Sequence, residues 1–526
     1  MTRAQLIAER EKFQEKLANS ETRIQHLETE NNWLREQFRL AKHRQFGSSS
    51  EKVAVQSELL FNEAEATLDS APEIVETETI TRVRKRKSVG HREEMLKDLP
   101  TETIEYRLSE DEQVCSQCGG HLHEMSTQTR EELIIIPAQA KVNRHVRYVY
   151  GCRHCDKNEI NVPIVTAEAP KALIPKSLAS PSALAYIMSQ KFVEAMPLYR
   201  QEKHFERLGI ELPRQILSNW MMKGGEMLEP IYDRMHELLL DLDILHADET
   251  TLQVLKEPGR SAQSKSCMWL YRSGRSGPPI VCYEYQIGRD GKYAARFLPG
   301  FAGYLHADGH AGYHDVKEAT LVGCWAHVRR KFFDALVVVP EKHREDPTLL
   351  ANIAIAKIKK LYDIEEELRG ASPEERLAVR QSRSKPIVDD FKAWLENESK
   401  FALPKRALGT AFTYCRNQWP KLIRFLDDGR LELDNNRAER SIKPFVIGRK
   451  NWLFANTPRG AKTSAIIYSI VETAKENGIN PSSYLEYLFE RLPNVDHTDK
   501  AEIDSLMPWS EAVQAALRIH SNTTSS

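Results

Sequence analysis

The sequence has no long apolar run. Nowhere in its 526 residues is there a stretch near the ~18 uninterrupted apolar positions that a membrane-spanning helix needs, so no membrane association is expected. The opening MTRAQLIAEREKFQ is polar and helical in pattern, without the apolar centre of a secretory signal. Net charge is also nearly missing. Seventy-four Lys and Arg against 75 Asp and Glu leave −1, so gross electrostatics favour no partner, and any nucleic-acid surface must come from local clustering. Cysteine is sparse. Eight in so long a chain, with no signal segment, argue against a disulfide framework and for a reducing cytoplasm. What is present, 41% hydrophobic and 28% charged residues, excludes a wholly disordered chain and supports several packed cores. The length allows three or four domains at roughly 150 residues each.

Residues 1–46 read as one long helix, with no Gly or Pro before Gly47. Leu6, Phe13, Leu27 and Leu34 fall on one heptad seam; Leu17, Ile24 and Phe38 fall on the other, interrupted by Asn31. This pattern predicts a coiled-coil homodimer, or else an amphipathic helix packed on its own chain. Residues 47–99 read as a linker. Positions 53–81 carry seven acids and no Lys or Arg, and then Arg82, Arg84, Lys85, Arg86, Lys87 and Arg92 follow. Such a block is either plainly solvated or a backbone-tracking arm for nucleic acid.

Residues 100–170 hold Cys115-Ser-Gln-Cys118 and Cys152-Arg-His-Cys155, with 33 residues between the pairs. Two C-x-x-C pairs can bring four thiolates onto one structural zinc ion, leaving no open position; a thiol redox pair is the competing reading. Strands are expected at Glu132 to Ile136 and Lys141 to Tyr150. Residues 171–240 read as helical: a helix, a turn at Leu208-Gly209, and a second helix from about Pro213. Phe205, Leu212, Ile216 and Trp220 are expected to pack the two together. The spacing is that of a helix-turn-helix, with Arg214 and Gln215 at the front of the second helix, or of a plain helical hairpin.

Residues 241–475 carry the chemistry. Strands are predicted at DILHADETTLQVL, SCMWLYR and PIVCYEYQI, then a short helix at GKYAARFLPG. The tetrapeptide Leu-His-Ala-Asp occurs twice, ending at Asp248 and at Asp308. An acid that closes a buried strand is costly unless it is paired or holds a cation. Two neighbouring strands ending alike would bring two carboxylates together, a site for magnesium, which prefers hard oxygen ligands. Unrelated strand-end acids that cap turns would look the same. In LELDNNRAERSIKPFVIGRK, Asp434 is a good N-cap for a helix from about Asn435, ending or kinking near Pro444. Glu439 would share a face with Asn435, Asn436 and Ile442, among Arg437, Arg440 and Lys443. That is either an acid that holds metal among phosphate-binding cations or a surface salt-bridge helix. Arg449, Lys450, Arg459 and Lys462, with Trp452 and Phe454 interleaved, suit nucleic acid with exposed bases. Between Arg330 and Arg430, ahead of Glu439, a charged Leu- and Ala-rich stretch of about 335–425 reads as a helical insertion. Residues 476–526 hold a further helix, SYLEYLFERL, and a polar tail.

The chain resembles the transposases of the bacterial insertion sequence 66 family over nearly its whole length. The resemblance rests on Gln45-Phe46-Gly47 with Ser49-Ser50-Glu51, the two cysteine pairs, MPLYRQE, HADET, Cys324-Trp-Ala-His327-Val-Arg329-Arg330, DNNRAER and IGRKNWLFANTPRGA, in that order. His-Arg-Gln before Phe46 is less basic than in relatives. The resemblance implies a multidomain α+β protein with a ribonuclease-H-like mixed α/β catalytic core and a helical insertion. A coiled coil, a zinc module and a helix-turn-helix would precede that core. It implies a DDE triad of Asp248, Asp308 and Glu439 holding two Mg²⁺, and structural Zn²⁺ on Cys115, Cys118, Cys152 and Cys155. DNA contacts would come from Arg84 to Lys87, Arg214, Gln215, Arg329, Arg330, Arg437, Arg440, Lys443, Arg449, Lys450 and Trp452. The implied activity is cleavage at the terminal inverted repeats of an element and strand transfer into double-stranded target DNA, without a covalent enzyme intermediate. Implied too are a homodimer or higher oligomer, small accessory proteins from the same element, and a cytoplasmic, nucleoid-associated location. Cys324 and His327 are left to packing, DNA contact or a C-x-x-H ligand pair.

Overall fold

The structure, a computed structural model, describes residues 23–24, 30–31, 33–40, 139–151, 164–167, 171–403 and 405–517. The chain divides into two compact units, Ser50–Ala169 and the combination of Met1–Ser49 with Pro170–Ser526. Among the described residues of the first unit, β1 (Val149–Gly151) pairs antiparallel with β2 (Ile164–Thr166). The strand expected at Lys141 to Tyr150 shrinks to its last two residues. Residues 141–148 are exposed and irregular. Their Val, Arg and Tyr alternate, but a strand needs a partner along its length, and β2 supplies only three residues. The segment Glu132 to Ile136 lies outside the described residues.

The larger unit begins, after residue 171, with α1 (Pro181–Phe192), α2 (Leu198–Arg207) and α3 (Arg214–Leu240). Strands β3 (Ile244–Gln253), β4 (Lys265–Ser273) and β5 (Val281–Gln286) follow, then α4 (Gly291–Phe297), β6 (Tyr304–His306) and β7 (Thr320–Val322). Five helices come next: α5 (Trp325–Val337), α6 (Leu350–Glu367), α7 (Pro373–Val379), α8 (Lys385–Glu398) and α9 (Ala407–Leu422). The last large elements are α10 (Asn436–Trp452), α11 (Pro458–Glu476) and α12 (Pro481–Arg491).

The five strands form one mixed sheet in the order β5-β4-β3-β6-β7. β3, β4 and β5 are antiparallel neighbours; β6 and β7 run parallel to β3. β4 is buried at every position after Lys265, so both faces of the sheet are covered there. β5 is an edge whose free amides would otherwise need water. α11 closes it: Val281 N–H donates to Thr473 Oγ1 (3.0 Å) and Tyr283 N–H donates to Ser469 Oγ (2.8 Å). α3 lies close to its neighbours because it carries two adjacent glycines. A Cβ at Gly224 would overlap Met188 and Leu184 of α1, and one at Gly225 would overlap Thr463 of α11.

One continuous hydrophobic core joins side chains of α1, α3, the sheet, α10, α11 and α12. Residues 181–240 therefore share their core with the sheet. Gly209, at φ +75°, makes the turn between α2 and α3. Phe205 and Trp220 are buried as expected, but Ile216 is 39% exposed. Leu217 is buried in its place, on one face with Trp220, Met221 and Gly224.

Helices α5 to α9 have a separate core built around Trp325, Phe332, Phe391, Phe412 and Trp419. This core fixes the approach to α10. Arg380 is fully buried, ion-paired with Glu365 (2.7 Å), and donates to the carbonyls of Phe425 (2.8 Å) and Leu431 (2.9 Å). Residues 33–40 are helical; Leu40 is buried and Glu36 pairs with Arg406 (2.7 Å). The seam residues Ile24, Leu34 and Phe38 are exposed. No helix among the described residues is long and apolar enough to cross a membrane.

Candidate active site

The repeated Leu-His-Ala-Asp lies on adjacent parallel strands and in register. Leu245 faces Leu305 and His246 faces His306 across the β3–β6 pair, so the chain continues in both strands to an aspartate two residues on. β3 is buried from Ile244 to Ala247, and Asp248, the next residue, is half-buried with its carboxyl largely withdrawn from water. Asp308 follows β6, with Oδ1 accepting the His310 N–H (2.8 Å). Glu439 projects from the first turn of α10, where the helix dipole favours an acid. Asp248 and Glu439 line one cleft with His327, Arg330, Ile442 and Lys443. Burial first, and then the Glu249 carboxylate, push the Asp248 carboxyl well above the usual range, and the charges of Asp308 and Glu439 add to it. Three mutually repelling acids, one of them buried, are a donor set that a hard divalent cation relieves. The residues therefore fit magnesium.

The start of α10 is held to β3 by Asn435, which is 1% exposed. Its Nδ2 donates to Ala247 O (2.8 Å), so its Oδ1 is left to accept, and the bond at 2.9 Å comes from His246 Nδ1–H. Its backbone N–H donates to Cys324 Sγ (3.2 Å), and its carbonyl accepts the Glu439 N–H (3.2 Å). The side chain thus binds β3, and the backbone of the same residue ties in Cys324, ahead of α5, and the first turn of α10. The rings of His246 and His306 stack at 4.2 Å and 4°. His306 Nε2 accepts the Glu432 N–H (3.3 Å), which leaves its proton on Nδ1. Burial lowers the pKa of His246 to about 4 and holds that of His306 well below its ordinary value, so both rings are neutral.

The expected cations divide. Arg330 reaches Glu439 (3.4 Å), and Lys443 lines the cleft and is exposed, as is Arg440 one turn away. Arg437 instead turns to buried Glu432 (2.8 Å), which Arg275 also holds (2.7 Å). Arg449 donates to Thr250 (3.1 Å), and Trp452 is half-buried with its ring edge-on to Phe445. Arg329 is half-buried and Lys450 exposed. Arg214 and Gln215 are exposed at the front of α3. Arg84, Lys85, Arg86, Lys87, Cys115, Cys118, Cys152 and Cys155 lie outside the described residues. α10 runs through Pro444 without ending there, held inward by Ala438, Ile442 and Phe445.

Sequence reasoning missed Asn435 as a hub, the two histidines and Glu249. Glu249 is buried, paired with Arg289 and accepting Tyr313 O–H (2.5 Å), which closes the side of the site next to Asp248. The histidines were visible inside the repeated tetrapeptide; nothing in a linear pattern told that their rings would meet.

Four family models cover most of the chain. Residues 176–463 match the Transposase IS66 family, residues 112–156 the zinc-finger binding domain of transposase IS66, and residues 469–509 the IS66 C-terminal element. Residues 33–104 match a model described as Transposase C of IS166 homeodomain. Two uncharacterized proteins of Sinorhizobium fredii (strain NBRC 101917 / NGR234), y4qI and y4jD, are similar to the chain. They are 34% and 32% identical over 415 and 417 residues, covering 76% and 77% of this chain and 74% and 79% of theirs. The sequence, with its zinc-finger segment and its central transposase segment, belongs to the IS66 family of transposases.

Proposed function

We propose that the protein binds the terminal inverted repeats of a bacterial insertion sequence and carries out metal-dependent cleavage and strand transfer at Asp248, Asp308 and Glu439. The observation that carries this reading is the in-register repeat on β3 and β6, with Glu439 entering the same cleft from α10. A mixed sheet covered by helices supports a ribonuclease-H-like core. Magnesium held by the three carboxylates would activate an attacking oxygen and steady a leaving one at phosphorus. The chain's own work is placement. Asn435 fixes Glu439 relative to β3, and Arg330 and Lys443 offer cations to a phosphate at the rim of the cleft. Arg214 and Gln215, exposed at the front of α3, are assigned to base edges, and the four cysteines to structural zinc. The exposed Ile24, Leu34 and Phe38 are assigned to a coiled-coil partner that would hold two ends together.

The test combines purified protein, a labelled element end, target plasmid and Mg²⁺. Joined products are expected. Asp248→Asn, Asp308→Asn and Glu439→Gln should each abolish cleavage and joining while end binding persists. A variant that still joins removes that residue from the site, and cleavage without joining reduces the protein to a nuclease.

A further inference from the structure

Cys324 and His327 have no part in the chemistry above, yet they stand beside it. Cys324 is the residue before α5 and His327 lies in its first turn, so the C-x-x-H spacing turns both toward one point. Glu439 reaches the same point from α10. One ligand atom from each of the three residues lies within 4.8 Å of the other two. We propose that Cys324, His327 and Glu439 form a site for a thiophilic divalent ion of the zinc class, with a fourth position open to the cleft.

Two facts about the individual atoms support this. His327 Nδ1 and Glu439 Oε1 face each other at 3.5 Å; both are shielded from solvent and neither has a hydrogen-bond partner. Buried polar atoms left so are costly, and a cation between them satisfies both at once. Arg330 approaches Oε2, the other oxygen of Glu439, and leaves Oε1 to the ion. Burial holds Cys324 as a thiol, so an ion bound there must displace its proton. Cys324 Sγ accepts the Asn435 N–H at 3.2 Å and sits at the amino-terminal ends of two helices, α5 and α10. Amide donors and helix dipoles of that sign favour thiolate once a cation is near. One sulfur, one imidazole nitrogen and one carboxylate oxygen suit zinc and cobalt and do not suit magnesium. Three protein ligands leave room for water or a phosphate oxygen. The site's ligands are other residues than the four cysteines of the segment that matches the zinc-finger model. Its consequence rests on the reading of Glu439 as an active-site acid. An ion held here engages that acid, so micromolar-class thiophilic ions would antagonise magnesium-supported cleavage.

The experiment uses the full chain, already loaded with zinc at its four-cysteine module, titrated with cobalt(II). Wild type should take up one cobalt per chain more than Cys324→Ser. It should also show a near-ultraviolet sulfur-to-cobalt charge-transfer band that Cys324→Ser lacks. His327→Gln should weaken the uptake by roughly tenfold or more. Asp308→Asn should keep both uptake and band, although the proposed cleavage is lost, so the ion site and the catalytic reading fail separately. Equal uptake and identical spectra in wild type and Cys324→Ser overturn the site. Should Cys324→Ser lose its fold by circular dichroism, the His327→Gln titration decides alone, and unchanged cobalt affinity there is equally fatal.

Discussion

Asn435 makes four hydrogen bonds to three separate elements, and its side chain is what sets Glu439 against β3. Asn435→Ala deletes two side-chain bonds and strands His246 Nδ1–H in the interior, at a cost of about 2–3 kcal/mol. Placement suffers more than stability. A shift of about 1 Å in an acid can lower a rate about 10²-fold. Single-turnover cleavage of a labelled element end should therefore fall about a hundredfold while end binding holds; a wild-type rate would remove Asn435 from this role. The neighbouring histidine carries a pH consequence. Burial holds His246 near pKa 4, below its ordinary 6.5, so between these values the unfolded chain takes up a proton that the folded chain refuses. Stability contributed by the neutral ring is complete above pH 6.5 and is lost as pH falls toward 4. The loss at pH 5 is about 2 kcal/mol for this one ring. Urea midpoints in magnesium-free buffer should drop between pH 7 and pH 5, and His246→Gln should flatten part of that slope. A pH-independent midpoint would count against a buried neutral ring.

Elements were legible in the sequence where punctuation and period agree. Gly209 and Pro213 bracket the turn before α3, and the β-branched runs around Asp248 and Val281 gave β3 and β5 nearly to the residue. In α3, Ile216 lies at the margin of the inner face, and Leu217 takes its expected place beside Trp220. Pro444 suggested an end to α10, because an interior proline removes one amide and crowds the preceding turn. Packing of Ala438, Ile442 and Phe445 outweighs that cost and carries the helix to Trp452. The three acids were singled out because two of them share a repeated tetrapeptide and the third lies in a cation-rich helix start. Their support was not found, since His246 and Asn435 are 189 positions apart and no period links them. The stretch of about 335–425 read only as a helical insertion, yet its helices hold the approach to the third acid. Arg380 is the pin, buried with Glu365 and bonded to the carbonyls of Phe425 and Leu431 just ahead of α10. Arg380→Met leaves a nearly buried carboxylate unpaired and should cost about 3–5 kcal/mol. Adding Glu365→Leu should recover part of the loss, because the orphaned charge is then gone. Urea unfolding of the single and double variants checks this, and a double variant no better than the single would place the cost elsewhere.

At the scale of the whole molecule, a net charge of −1 gives DNA no general reason to approach. Affinity must come from cations gathered on one surface, and the cleft gathers them. Arg330 and Lys443 flank Asp248 and Glu439, and Arg440 stands exposed a turn away. The acids in their midst repel phosphate until a divalent ion neutralises them, so the same cleft should bind DNA poorly without metal and well with it. Calcium, a hard cation with oxygen ligands, is a fair probe of this under conditions where no cleavage is wanted. Each phosphate met by a Lys or Arg releases condensed counterions, and the logarithm of the binding constant falls with the logarithm of salt by about 0.9 for each contact on duplex DNA. Lys443→Gln removes one exposed cation at little cost to the fold, since its side chain is outside the core. In calcium, the salt slope for an element end should become shallower by about one in this variant, and by a similar amount for unrelated duplexes, because a phosphate contact carries no sequence information. Arg214→Ala, at the front of α3, should instead weaken the element end and spare unrelated duplexes. Equal slopes in wild type and Lys443→Gln would mean that DNA does not cross this cleft, and the acids there would then have no phosphorus within reach.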